Sequence, residues 1–197
     1  YERHENGMDF VKTFQRSCCR ANCKVCWKKW LAREANRATR RIEAGQKKLE
    51  KPAKHIVVSV PIWLYHEELQ TLRKLAYLVL KEVRCEGGMM IFHAYRKNKL
   101  DGSWYYSPHF HVVGFGWIVG TSDEFQKNGW LVKNLGIRES VFQTVFYQLS
   151  HCAISKKKHA VTWFGTVSYH SKLIIEKEQD DFKKCRYCKK KLIRLVP

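Results

Sequence analysis

The sequence predicts an α+β fold of the ferredoxin-like, split βαβ kind, carrying a small zinc-binding appendage. Three observations predict it. Strand-like and helix-periodic segments alternate as β, α, β, β, α, β between residues 55 and 170. The two helical segments carry one apolar stripe each, which suits a sheet with both helices on one face and the other face free. Paired cysteines gather near both ends of the chain, outside that core.

Residues 1–50 form the first part, an N-terminal cysteine knuckle and a basic helix. From Cys26 onward Trp27, Trp30, Leu31, Ala35, Ala38 and Ile42 recur at steps of three and four, with Lys and Arg between them, up to a stop near Gly45. Gln46 to Lys54, with Pro52 inside it, reads as a linker. The main domain spans residues 55–170. His55 to Val60 is β-branched and halted by Pro61, so it is a buried strand. Glu67 to Arg84 places Leu69, Leu72, Leu75, Ala76, Val79, Leu80 and Val83 on one stripe, and Gly87 and Gly88 supply its stop. Met89 to Tyr95 and His109 to Trp117 form a hairpin through a turn holding Asp101 and Gly102. Glu139 to Cys152 is the second helix, with Val141, Phe142, Val145, Phe146 and Leu149 inward. His159 to Ser168 alternates and is aromatic-rich, which makes it the fourth strand. Residues 171–197 form a C-terminal segment with the last cysteine pair.

Composition narrows the function. The chain has 197 residues, 45% of them hydrophobic, enough for one main core. No apolar run is long enough to span a bilayer, and Tyr1 to Phe10 lacks the apolar stretch of a secretion signal, so a cytoplasmic location without membrane contact is expected. A formal charge of +19 calls for a polyanionic partner, and nucleic acid suits it better than a lipid surface because no amphipathic basic helix gathers the aromatics.

Alternation then organises the chemistry. His109 and His111 sit two apart on a strand, so their imidazoles project from one face, while Phe110 and Val112 point to the helix-covered side. The histidines therefore line the free face. His93 lies on the strand predicted to pair with theirs and supplies a third ligand to a catalytic metal. On the second helix Gln143, Tyr147 and His151 follow one another at steps of four, opposite the apolar stripe. Tyr147 is the candidate nucleophile, with His151 placed to hydrogen-bond the phenol or a phosphate. Tyr169 is the second candidate. Arg96, Lys97, Lys99, Lys156, Lys157 and Lys158 are placed to hold DNA phosphates, and Trp104, Tyr105 and Tyr106 to stack on bases.

Cys23 and Cys26, and Cys185 and Cys188, have the spacing of zinc knuckles, in a chain without a secretion signal. They close one shared structural zinc site, or Cys18 or Cys19 joins Cys23, Cys26 and His4 in a separate one. Cys85 and Cys152 read as buried thiols.

Taken together, Phe92 to Arg96, Ser107 to Gly114, Tyr147 to His151 and Ala160 to Gly165 resemble replication initiators of archaeal plasmids and viruses in the HUH endonuclease superfamily. The resemblance covers roughly residues 55 to 170. It implies an RRM-like fold, Mg²⁺ or Mn²⁺ at His109, His111 and His93, and attack by Tyr147 on single-stranded DNA at a replication origin. The product would be a 5′-phosphotyrosine that starts rolling-circle replication. Members commonly carry a lysine soon after the tyrosine, where this chain has His151. No phosphate-binding loop of a helicase occurs in the sequence, so a host or linked helicase would be the partner. Two other readings stay open: a non-catalytic zinc-containing nucleic-acid-binding module, which leaves the histidines unexplained, and an HUH transposase or relaxase.

Overall fold

The computed structural model describes residues 2–3, 9–10, 18, 20–116, 129–153 and 159–175. The chain divides into two compact units, residues 1–18 with 176–197 and residues 19–175. In the smaller one, β1 (Glu2–Arg3) pairs antiparallel with β2 (Asp9–Phe10).

The larger unit contains α1 (Trp27–Leu49), β3 (Lys54–Ser59), a single 3₁₀ turn (Ile62–Leu64) and α2 (Leu69–Glu82). It continues with β4 (Cys85–Lys97), β5 (Trp104–Gly116), β6 (Leu131–Ile137), α3 (Val141–Ser150) and β7 (Val161–Gly165). The five strands of this unit form one antiparallel sheet in the order β6-β3-β5-β4-β7. The α+β class and the central hairpin agree with the sequence reading. In that hairpin Asp101 Oδ1 accepts from the Ser103 amide and hydroxyl, and Gly102 takes the positive φ the turn demands.

The split βαβ arrangement needs correction in two respects. Its fourth strand should lie beside the first, yet β7 pairs with β4, and the place beside β3 belongs to β6, an unforeseen strand. Nor are the helices on one face. Ile56, Val58, Met90, Phe110 and Val112 pack with Leu72, Ala76, Val79 and Leu80 of α2. The alternate residues Met89, Ile91, Val113 and Phe115 pack with Leu31, Ala35, Ala38 and Ile42 of α1 and with Val141, Val145 and Leu149 of α3. The second face is thus a helix-covered core as well, and the histidines are enclosed rather than spread on a free platform. The physical reason is visible in β4 and β5, where Met89-Met90-Ile91 and Val112-Val113 are apolar on both faces, the pattern of a strand buried on two sides.

The glycine stops also read differently. Gly45 lies inside α1, which continues to Leu49, so the connection to β3 is residues 50–53 rather than Gln46 to Lys54. A Cβ at Gly45 would stand 2.6 Å from Val167 Cγ1 and 2.9 Å from Phe115 Cε2, so the glycine allows the helix to approach the sheet closely. The helix before β4 ends at Glu82, with Arg84 at φ 58 making the turn, and Gly87 and Gly88 belong to the strand.

Candidate metal and phosphate site

At the centre of the sheet β4 and β5 put His93 directly opposite His109, with His111 two residues further along β5 opposite Ile91. One ligand nitrogen from each of the three histidines lies within 4.8 Å of the others. The ring centroids are 5.3 Å apart for His93 and His109, 4.5 Å for His93 and His111, and 5.1 Å for His109 and His111.

Hydrogen bonds orient these rings from behind. His109 Nδ1 is 2.7 Å from the Ser107 carbonyl, which can only accept, so Nδ1 carries the proton and Nε2 keeps a lone pair. His111 Nδ1 is 2.9 Å from His55 Nε2, and a cation on His111 Nε2 would select the tautomer in which His111 donates to His55. His93 donates a hydrogen bond to the Gln148 backbone carbonyl, while its Nε2 is buried without a partner. An orphaned buried lone pair among two others is the donor set a cation fits.

Burial sets the protonation. It holds His93 down at about 3 and His109 at about 4, with neighbouring histidines adding to the shift at His93 and the Arg96 charge at His109. His111 is held far below the ordinary histidine range by burial, then by His93, His109 and His55. His55 falls to about 4 through burial and Arg138. All are neutral at pH 7, as ligands must be.

The helix-borne residues join by ring packing. Ser140 caps α3 by accepting from the Gln143 amide at 3.2 Å, fixing where the helix starts. At its other end His151 lies edge-on to His93, centroids 4.6 Å apart, and Tyr147 packs on His151 at 4.8 Å. Tyr147 is 65% exposed, so its phenol faces solvent one ring away from the histidine cluster. Tyr169 is elsewhere, against Trp163 and the Arg41 guanidinium.

No family model, curated protein or solved structure matches this chain.

Of the other expected residues, Arg96 is half-buried with Nη2 on Ser59 Oγ at 2.7 Å, and Lys97 is exposed at the end of β4. Trp104, Tyr105 and Tyr106 are exposed on β5, and Tyr106 packs against Tyr65 and Tyr95. Cys23 and Cys26 precede α1 with their sulfurs within 4.8 Å of each other, Cys26 buried. Cys18 is exposed. Cys85 is buried and Cys152 half-buried, and desolvation raises both thiols to about 11. Cys19, Cys185, Cys188, His4, Lys156, Lys157 and Lys158 lie outside the described residues. The sequence reading missed His55. Its alternation with Val57 and Ser59 was visible, but the register placing it beside His111 was not. No helix among the described residues is long and apolar enough to cross a membrane.

Proposed function

We propose that this protein is a metal-dependent nickase and strand transferase for single-stranded DNA, an HUH-type initiator of rolling-circle replication. One observation carries the reading: three converging histidines continue through His151 to the exposed, helix-borne Tyr147. The net charge of +19 supports a nucleic-acid substrate.

A divalent cation held by His93, His109 and His111 would supply Lewis-acid polarisation of the scissile phosphate. An all-imidazole donor set favours transition ions such as Mn²⁺ over Mg²⁺, which prefers oxygen. Tyr147 Oη forms the new bond to phosphorus, the bond from phosphorus to the 3′-oxygen breaks, and that oxygen takes a proton from water to leave as a 3′-hydroxyl. In this reading His151, whose ring packs on the phenol ring, would take the phenolic proton. Return attack by a 3′-hydroxyl on the phosphotyrosine reseals a strand and restores the tyrosine. His55 is a positioning residue that would accept from His111 Nδ1 and so leave His111 Nε2 for the cation.

The RRM-like platform implied by both the resemblance and the non-catalytic module needs an open sheet face, whereas helices pack on both faces here; the fold favours neither, and the converging histidines favour the nickase. Zinc remains the proposed occupant at Cys23 and Cys26, which would supply two thiolate ligands to it. Origin DNA and a host or linked helicase, in the cytoplasm, are the partners this reading brings. Incubation with a random single-stranded oligonucleotide pool and Mn²⁺, read on a denaturing gel, tests it. A protein–DNA adduct that vanishes with chelator and in His111→Ala is expected. A pool that stays intact with Mn²⁺ present contradicts it.

A further inference from the structure

Beside the histidines stands a guanidinium whose hydrogen-bonding capacity the described protein groups leave largely unused. The β4–β5 register shifts between His93 and Tyr95, and beyond that irregularity the Arg96 side chain reaches Ser59, donating from Nη2 to Oγ at 2.7 Å. Ser59 is the register partner of His109 across β3 and β5. Arg96 is therefore adjacent to the histidine cluster, and its charge is felt by His109.

Among the described residues its remaining donors find no partner. Arg96 Nε is buried with no hydrogen-bond partner, and none of the ion pairs among the described residues involves Arg96. A guanidinium carries five N–H groups in a fork that matches two phosphate oxygens, and a buried unmatched N–H is costly unless a ligand satisfies it. Lysine would offer a point charge without the fork. The charged groups that act on His109 are Arg96 and His151, and no carboxylate is among them.

We propose that Arg96 is the phosphate clamp of this site, taking oxygens of the same phosphodiester phosphate that meets the His93–His109–His111 cluster. Naming that phosphate as the scissile one rests on the nickase reading; the anion site itself does not. Ser59 is a positioning residue that holds one arm of the fork and leaves Nε and the other arm for phosphate.

The test uses the full chain carrying Tyr147→Phe, so that no adduct forms, and a labelled pool of random-sequence single strands. Affinity is measured against KCl concentration, with Mn²⁺ and with chelator. Arg96→Ala is expected to weaken binding by roughly 10- to 100-fold, as loss of a charge-assisted pair does, and to shrink the salt slope by about 0.7. Arg96→Lys keeps the slope and recovers only part of the affinity. The Arg96→Ala penalty is larger with Mn²⁺ than with chelator, because cation and clamp share one phosphate. A merely structural Arg96 would instead lower the melting temperature and weaken binding equally in both conditions. An unchanged slope, or equal penalties with Mn²⁺ and chelator, overturns the clamp. A protein that binds through Arg96 yet, with Tyr147 restored, forms no adduct overturns the nickase reading and leaves the anion site standing.

Discussion

Acidification in the absence of metal should unfold this protein through its buried histidines. His93 and His109 have an ordinary value of 6.5, held in the fold to about 3 and about 4, chiefly by burial. The unfolded chain therefore takes up protons that the folded chain refuses. The stability tied to the neutral rings is complete above pH 6.5 and is lost as the pH falls toward 4 and then 3. Each pH unit below 6.5 favours the unfolded chain by about 1.4 kcal/mol per histidine, so about 2 kcal/mol each at about pH 5. His111, held lower still, also refuses the proton at about pH 5, so the three residues acting independently give about 6 kcal/mol. For a chain of this size that corresponds to a fall in Tm of about 12–24 °C between about pH 8 and about pH 5. Circular dichroism melts of the wild type and of a His93→Gln, His109→Gln, His111→Gln variant provide the assay, since the other titrating groups cancel between them. Parallel Tm–pH curves for the two proteins would refute the reasoning.

Other outcomes follow from the same geometry. Mn²⁺ at about a hundred times its Kd should stabilise the wild type by about 2.7 kcal/mol, raising Tm by about 5–11 °C at pH 8, with the effect shrinking toward pH 5 as protons compete for the imidazoles; the triple variant should show no shift. Gly45→Ala should destabilise the fold by roughly 1 kcal/mol although alanine favours helix, because the added methyl meets Val167 and Phe115; a gain in urea midpoint would count against the close approach. Phe110→Ala, in a fully buried position beneath α2, should cost about 3–5 kcal/mol in the same titration, and a loss under about 1 kcal/mol would mean the α2 face is loosely packed.

Much of the site was legible because strand alternation needs only local sequence. The step from His109 to His111 and the pairing of their strand with that of His93 follow from period-two geometry and a hairpin turn. The step of four from Tyr147 to His151 follows from helix periodicity in the same way. What escaped was non-local. β6 runs through Asn134 and Gly136, poor strand formers, and is held at the sheet edge by its pairing with β3 rather than by propensity. The apolar stripe of α1 was visible, yet nothing local said it would pack beside α3 on the histidine face. His55 required the β3–β5 register, which is set by tertiary pairing. Gly45 looked like a helix stop because a sequence shows that a side chain is missing but not which neighbour needs the space.

The central claim, a tyrosine nucleophile served by the three-histidine centre, is tested most directly by mapping the attachment point. Wild-type protein, Mn²⁺ and single-stranded oligonucleotides are combined, the products are digested with nuclease and protease, and the peptides are sequenced by mass spectrometry. The account predicts a nucleotide remnant on Tyr147, absent from Tyr147→Phe and from His109→Ala. A remnant on Tyr169 or any other residue, or cleaved DNA with no remnant on the protein, would contradict it.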